Sequence, residues 1–248
     1  MPILVTATLV GCIAQLVDGA LGMAYGVTCA SFLLTLGIAP AMVSYSVKVS
    51  EMFTTGISGL SHLWHQNVNR ALFWEICIPG VVGGVAGAYL LSNFSGERLK
   101  PWISAYLILM GGYILWRSNH KPISIGTEPT KAVPLAATGG FLDAVGGGGW
   151  GPIVTSTLLA KGHQPRYVIG SVNLAEFFVT LSQTITFFIF LKLENLRIIA
   201  GLILGGIIAA PFAAKLCQIL PAKVLMRLVG IVLILISTRT LLLALGKI

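Results

Sequence analysis

DGALGMAYGVTCASFLLTLGIAPAMVSYSVKVSEMFTT, Asp18 to Thr55, decides the fold because it occurs twice. The second copy is DAVGGGGWGPIVTSTLLAKGHQPRYVIGSVNLAEFFVT, Asp143 to Thr180. Adding 125 to a first-copy number gives its partner without a gap, and 14 of the 38 pairs are identical. Apolar composition alone aligns Leu with Leu. It does not align Asp18 with Asp143 or Glu51 with Glu176. Duplication inside an apolar chain is the mark of a transporter whose substrate site lies between the halves.

The surroundings of both copies are those of a membrane protein. Of 248 residues, 56% are hydrophobic and 10% charged. A soluble domain is nearer ~25% charged. The formal net charge of +8 sits mostly in short links between apolar segments, as topology signals do, so no nucleic-acid partner is expected. Cys12, Cys29, Cys77 and Cys217 lie singly in apolar stretches and read as buried free thiols. The start, MPILVTATLV, lacks a basic n-region and reads as a first membrane segment.

Each half reads as a short pair followed by three longer spans. In the first half, Ile3 to Val17 is short for a span, which needs ~20 apolar residues. The Gly-rich loop from Asp18 to Gly22 and a second short run to Leu36 make it a pair of half-helices. Spans then run Ala41–Trp64, Ala71–Leu91 and Trp102–Trp116. The second half pairs Val133–Leu142 with Pro152–Ala160 around GGGGWG, then spans Pro165–Phe190, Leu196–Ala214 and Val224–Leu245. The expected fold is therefore an all-α integral membrane protein, multi-pass. Its repeats are 1–117 and 133–248, joined by a linker at 118–132. A hairpin pair makes the repeats inverted; a single broken span makes them parallel.

Chemistry concentrates on the first long span. Ser44, Lys48, Glu51, Thr55, Ser58 and His62 share one helix face, and Asn173, Glu176, Thr180 and Gln183 stand at matching positions of the second copy. Ionisable groups at mid-membrane are functional-site candidates by default. Mutual neutralisation of Lys48 and Glu51 is the plainer alternative, but it leaves Glu176 unexplained. Gly22, Gly26, Gly147, Gly148 and Gly151 let a backbone or ligand approach closely. The half-helix N-termini beside them favour anions. The plainer alternative is helix packing through GxxxG, which also fits Gly80/Gly84 and Gly201/Gly205. Tyr25 and Trp150 share one position, as site walls or as packing. Asp18 and Asp143 end the first half-helices, either capping the turn's own N–H groups or carrying protons. GGGGWG also fits GxGxxG, but it follows no strand, so no dinucleotide is expected. No metal site, cofactor or enzymatic signature (HExxH, GxSxG, paired Cys/His) is expected.

At DAVGGGGWGPIVTSTLL, GSVNLAEFFVT, SVKVSEMFTTGISGLSHL, IPGVVGGVAGAYLL and YLILMGGYILW the chain resembles the TauE/SafE sulfite exporter family, the 4-toluene sulfonate uptake permease superfamily. The resemblance covers nearly the whole chain. It implies a bacterial inner-membrane transporter of small sulfur-containing anions, sulfite or organosulfonates, driven by the proton gradient. The combined expectation is alternating access. Gly22, Tyr25, Gly26, Lys48, Gly147, Gly148, Trp150, Gly151 and Asn173 hold the anion, and Glu51, Glu176, Asp18 and Asp143 exchange protons. A passive anion channel, or a transporter of another small carboxylate or oxyanion, is the alternative.

Overall fold

The computed structural model describes residues 2–21, 23–64, 66–94, 96–119, 132–155, 157–158, 163, 165–192 and 194–219. Beyond them it describes 223, 227, 230–231, 234–235, 237–239, 241–242 and 245. Gly22, His65 and most of the 118–132 linker lie outside the described residues, as does most of the Val224–Leu245 span. No strand occurs among the described residues.

Eight α-helices can be traced among the described residues. They are α1 (Pro2–Leu21), α2 (Tyr25–Thr35), α3 (Pro40–Trp64), α4 (Arg70–Asn93), α5 (Gly96–Asn119), α6 (Ala132–Gly146), α7 (Pro165–Phe190) and α8 (Leu196–Ile219), with a π-helical turn at Gly151–Thr155 between α6 and α7. Pro40 and Pro165 open α3 and α7, where a missing N–H costs nothing. The Asn69 side chain caps α4 by accepting from the N–H groups of Ala71 and Leu72. α2 ends where the N–H groups of Leu36 and Gly37 bond back to Leu33 and Leu34, with Gly37 at φ 76°.

Two sequence boundaries move. α1 runs through Asp18 to Leu21, so Asp18 sits in its last turn and not in a loop. Likewise Asp143 lies inside α6. Extending the helix past the acid leaves the carboxylate beside its own helix end, close enough to reach the next turn.

α4 and residues Tyr167–Phe190 of α7 are each long and apolar enough to cross a bilayer. Large apolar side chains face outward, while ionisable groups sit inside among two apolar clusters. Trp74, Ile78, Val82 and Tyr89 are exposed along α4, as are Ile185, Phe188 and Ile189 on α7. Lys48, Asp143, Glu51, Asp18 and Glu176 are buried. That inverts the soluble pattern and suits a hydrocarbon surround.

The helices interlock across the duplication. α1 packs along α8, and α6 packs along α4. Glycines make both seams close. A Cβ on Gly201 or Gly205 would strike the backbone or side chains of Leu4, Ala7 and Thr8, and one on Gly140 would strike the Gly80 carbonyl. The GxxxG pairs Gly80/Gly84 and Gly201/Gly205 therefore serve packing, as their spacing suggested. Gly140→Val is expected to lower the thermal midpoint by roughly 3–10 °C, the effect of about 1–3 kcal/mol of overpacking in a chain of this size. An unchanged midpoint by scanning fluorimetry would show that the seam yields.

Candidate functional site

The two glycine turns touch. A Cβ on Gly26 would lie 2.6 Å from the Gly147 carbonyl oxygen and 2.7 Å from Gly148 Cα. One on Gly148 would collide with the Val27 nitrogen. Any side chain at either position would drive the halves apart. Gly147 also takes φ 74°, where a side chain is strained, as the chain leaves α6. In the first copy Ala24 carries the left-handed turn, φ 97°, without being glycine.

Each turn is capped by the aspartate before it. Asp18 Oδ1 accepts from the Tyr25 N–H at 3.2 Å. Asp143 Oδ1 accepts from the N–H groups of Gly149 at 2.9 Å and Trp150 at 3.2 Å. Tyr25 and Trp150 occupy the same register, so the same bond is made twice. Capping, one of the two sequence readings of these acids, is what the geometry shows.

Their other oxygens differ. Asp143 Oδ2 accepts from Lys48 Nζ at 2.7 Å and from Gln183 Nε2 at 3.0 Å. Lys48 pairs with Glu51 Oε2 as well, so one ammonium bridges two carboxylates at 0% exposure. Mutual neutralisation of Lys48 and Glu51 is therefore only half of the arrangement. Asn173, the register partner of Lys48, accepts from the Ser58 hydroxyl at 3.0 Å and donates to the Ile169 carbonyl at 2.9 Å. Glu176 is 6% exposed, and its carboxylate makes no hydrogen bond or ion pair among the described residues.

Asp18, Tyr25, Gly26, Glu51, Asp143, Gly148, Gly149, Gly151 and Glu176 surround a cavity of about 10 Å³. One water fills such a space. The conformation is closed: a sulfite or sulfonate has no room beside Asp143. Trp150 takes no part in the lining. Its indole N–H donates to the Val172 carbonyl at 3.2 Å, and its ring lies against Gly80. Tyr25 does line the cavity, and its hydroxyl donates to the Leu202 carbonyl at 3.4 Å.

One contributor escaped the sequence reading. Tyr106 of α5 donates to the Gly148 carbonyl at 3.2 Å; its ring packs where a Cβ on Gly146 would go, and its hydroxyl where one on Gly149 would go. The Ser44 hydroxyl donates to the Ala144 carbonyl, tying α3 to the end of α6. Tyr106 stands opposite Ile231 in the duplication, so the repeat gave it no signal.

A family model described as Sulfite exporter TauE/SafE matches residues 7–240. The chain belongs to the TauE/SafE sulfite exporter family. It is 43% identical over 247 residues to the probable membrane transporter protein YtnM of Bacillus subtilis (strain 168), a match covering 96% of this chain and 82% of that protein. No solved structure matches it. This TauE/SafE protein is thus a membrane transporter and not an enzyme. Its buried acids and Lys48 belong to a protein that moves a small molecule through lipid.

Proposed function

We propose that the protein is a secondary transporter of a small sulfur-containing anion, sulfite or an organosulfonate, coupled to protons, in the bacterial inner membrane. Transport is by alternating access. Residues 1–117 and 133–248 are the two repeats, set inverted about the α3–α7 contact and joined by the 118–132 linker. The crossed packing of α1 on α8 and α6 on α4 supports that arrangement. The observation that carries the reading is the Lys48–Asp143 pair. It places a buried ammonium from one copy against the glycine turn of the other, at the edge of a closed cavity.

Anion selectivity follows from that ammonium and from the turn N–H groups, which lie where water does not compete. Proton coupling follows from charge. Asp18, Glu51, Asp143 and Glu176 face one lysine, an excess of negative charge that repels an entering anion unless protons accompany it. Gly22, at the first turn, and Asn173 complete the proposed lining. The family description and the size of the cluster favour sulfite-sized solutes over large ones.

Purified protein in liposomes tests this directly. Sulfite or an organosulfonate should accumulate against its gradient when a pH difference is imposed, and sulfate should serve as the competitor control. Flux that only equilibrates would identify a passive anion channel. No flux of any of the three would remove the substrate class.

A further inference from the structure

Asp143 is held by more donors than a cap requires. Its two oxygens take four: the N–H groups of Gly149 and Trp150, the Lys48 ammonium and the Gln183 amide. They come from the turn, α3 and α7, so three elements converge on one carboxylate. Lys48 is 0% exposed and Asp143 1%. Nothing in this donor set is particular to a carboxylate. An ammonium, an amide N–H and two peptide N–H groups suit any small group bearing two or three oxygens and a negative charge.

We propose that these four donors are the transporter's anion seat, and that Asp143 is a tethered occupant which the substrate must displace. This rests on the transport reading above and names its binding site.

Three observations carry it. The cavity beside Asp143 is water-sized, so anion and carboxylate cannot be present together. Its walls include Asp18, Glu51 and Glu176, which would repel an anion placed anywhere but on the donors. The seat is also single. Asn173 is committed to Ser58 and Ile169, so among the described residues Asn173 does not serve Asp18 as Lys48 serves Asp143. The duplication suggests a twofold site; the geometry points to one seat in the second half.

Displacement exchanges one negative charge for another at Lys48. An arriving anion takes over the charge that balances Lys48. The released Asp143 carboxylate then faces Asp18, Glu51 and Glu176 with no cation of its own, while Tyr106 and Gln183 contribute only neutral groups.

The test empties the seat. Full-length Asp143→Ala in detergent is melted with sodium formate, sodium sulfite or sodium gluconate. Formate and sulfite should raise its midpoint by about 5–10 °C at a hundredfold excess over Kd. Gluconate, too large for the space, should not. Wild type near neutral pH should respond less than the variant. Adding Lys48→Met should remove the response. Asp143→Ser, which also shortens the side chain and vacates the seat, gives the same comparison if the alanine variant does not fold. Formate makes no assumption about the natural substrate, so failure of the flux experiment and failure of the seat are separate results. Midpoints of both Asp143 variants that ignore formate and sulfite would overturn the proposal.

Discussion

Lys48→Met is expected to lose transport by about a hundredfold or more, the effect of roughly 2.7 kcal/mol of lost anion binding. The charge it removes is the only lysine or arginine among the buried residues of the described core. Stability should fall too. Lys48 separates Glu51 from Asp143, and breaking a buried pair from one side costs about 3–5 kcal/mol. Loss of flux in the single variant does not separate lost binding from lost fold, so the double variant Lys48→Met/Asp143→Asn is the informative one. It removes both charges of the bridge across the copies, leaving fewer uncompensated carboxylates. Its midpoint should return most of the way to wild type, and its flux should not return. A double variant that transports normally would show that the ammonium holds the helices together and does not bind the substrate. Coupling between the two sites is read from the same cycle, since residues in contact are non-additive by about 0.5–3 kcal/mol.

That Asp18, Glu51, Asp143 and Glu176 gather around one cavity was legible in the sequence, because two regularities point to it. A helical period placed Ser44, Lys48, Glu51 and Ser58 on one face, and the 125-residue repeat placed Glu176 and Gln183 opposite. The extent of α7 was legible too: it spans Pro165–Phe190, as its proline start and apolar run indicate. Partner choice was not legible. Period 3.6 says that Lys48 can reach Glu51; only the packing of α6 against α3 says that it also reaches Asp143. The repeat even points the wrong way here, since it suggests that Asn173 treats Asp18 as Lys48 treats Asp143. Asn173 is shorter and uncharged, and its amide bonds to Ser58 and Ile169. Tyr106 was invisible for a related reason. Its work is to fill space beside Gly146 and Gly149, and space is a property of three elements together.

Glu176→Gln should separate transport from its driving force. Glu176 lines the cavity but pairs with nothing among the described residues, unlike Glu51, which holds Lys48. Replacing it by the isosteric amide therefore breaks no bond seen in the closed state, and the midpoint should stay within roughly 0.5 kcal/mol of wild type or rise. An ionised Glu176 and a bound anion about 6 Å apart repel by about 3 kcal/mol at an effective dielectric of about 20. With a proton on the carboxylate that repulsion disappears, which ties anion occupancy to proton occupancy. The amide is neutral at every pH and severs the tie. Exchange of labelled for unlabelled anion across the liposome should therefore survive in Glu176→Gln. Accumulation driven by an imposed pH difference should fall tenfold or more, and the pH profile of exchange should flatten. Glu51→Gln should also weaken the pH dependence, but with a loss of stability, because Lys48 loses one of its two carboxylates. The contrast between the two amides is what assigns the role. If Glu176→Gln accumulates anion like wild type and keeps its pH response, the proton travels elsewhere, and Asp18 becomes the carboxylate to replace next. If instead exchange and accumulation fall together, Glu176 shapes the cavity and carries no proton.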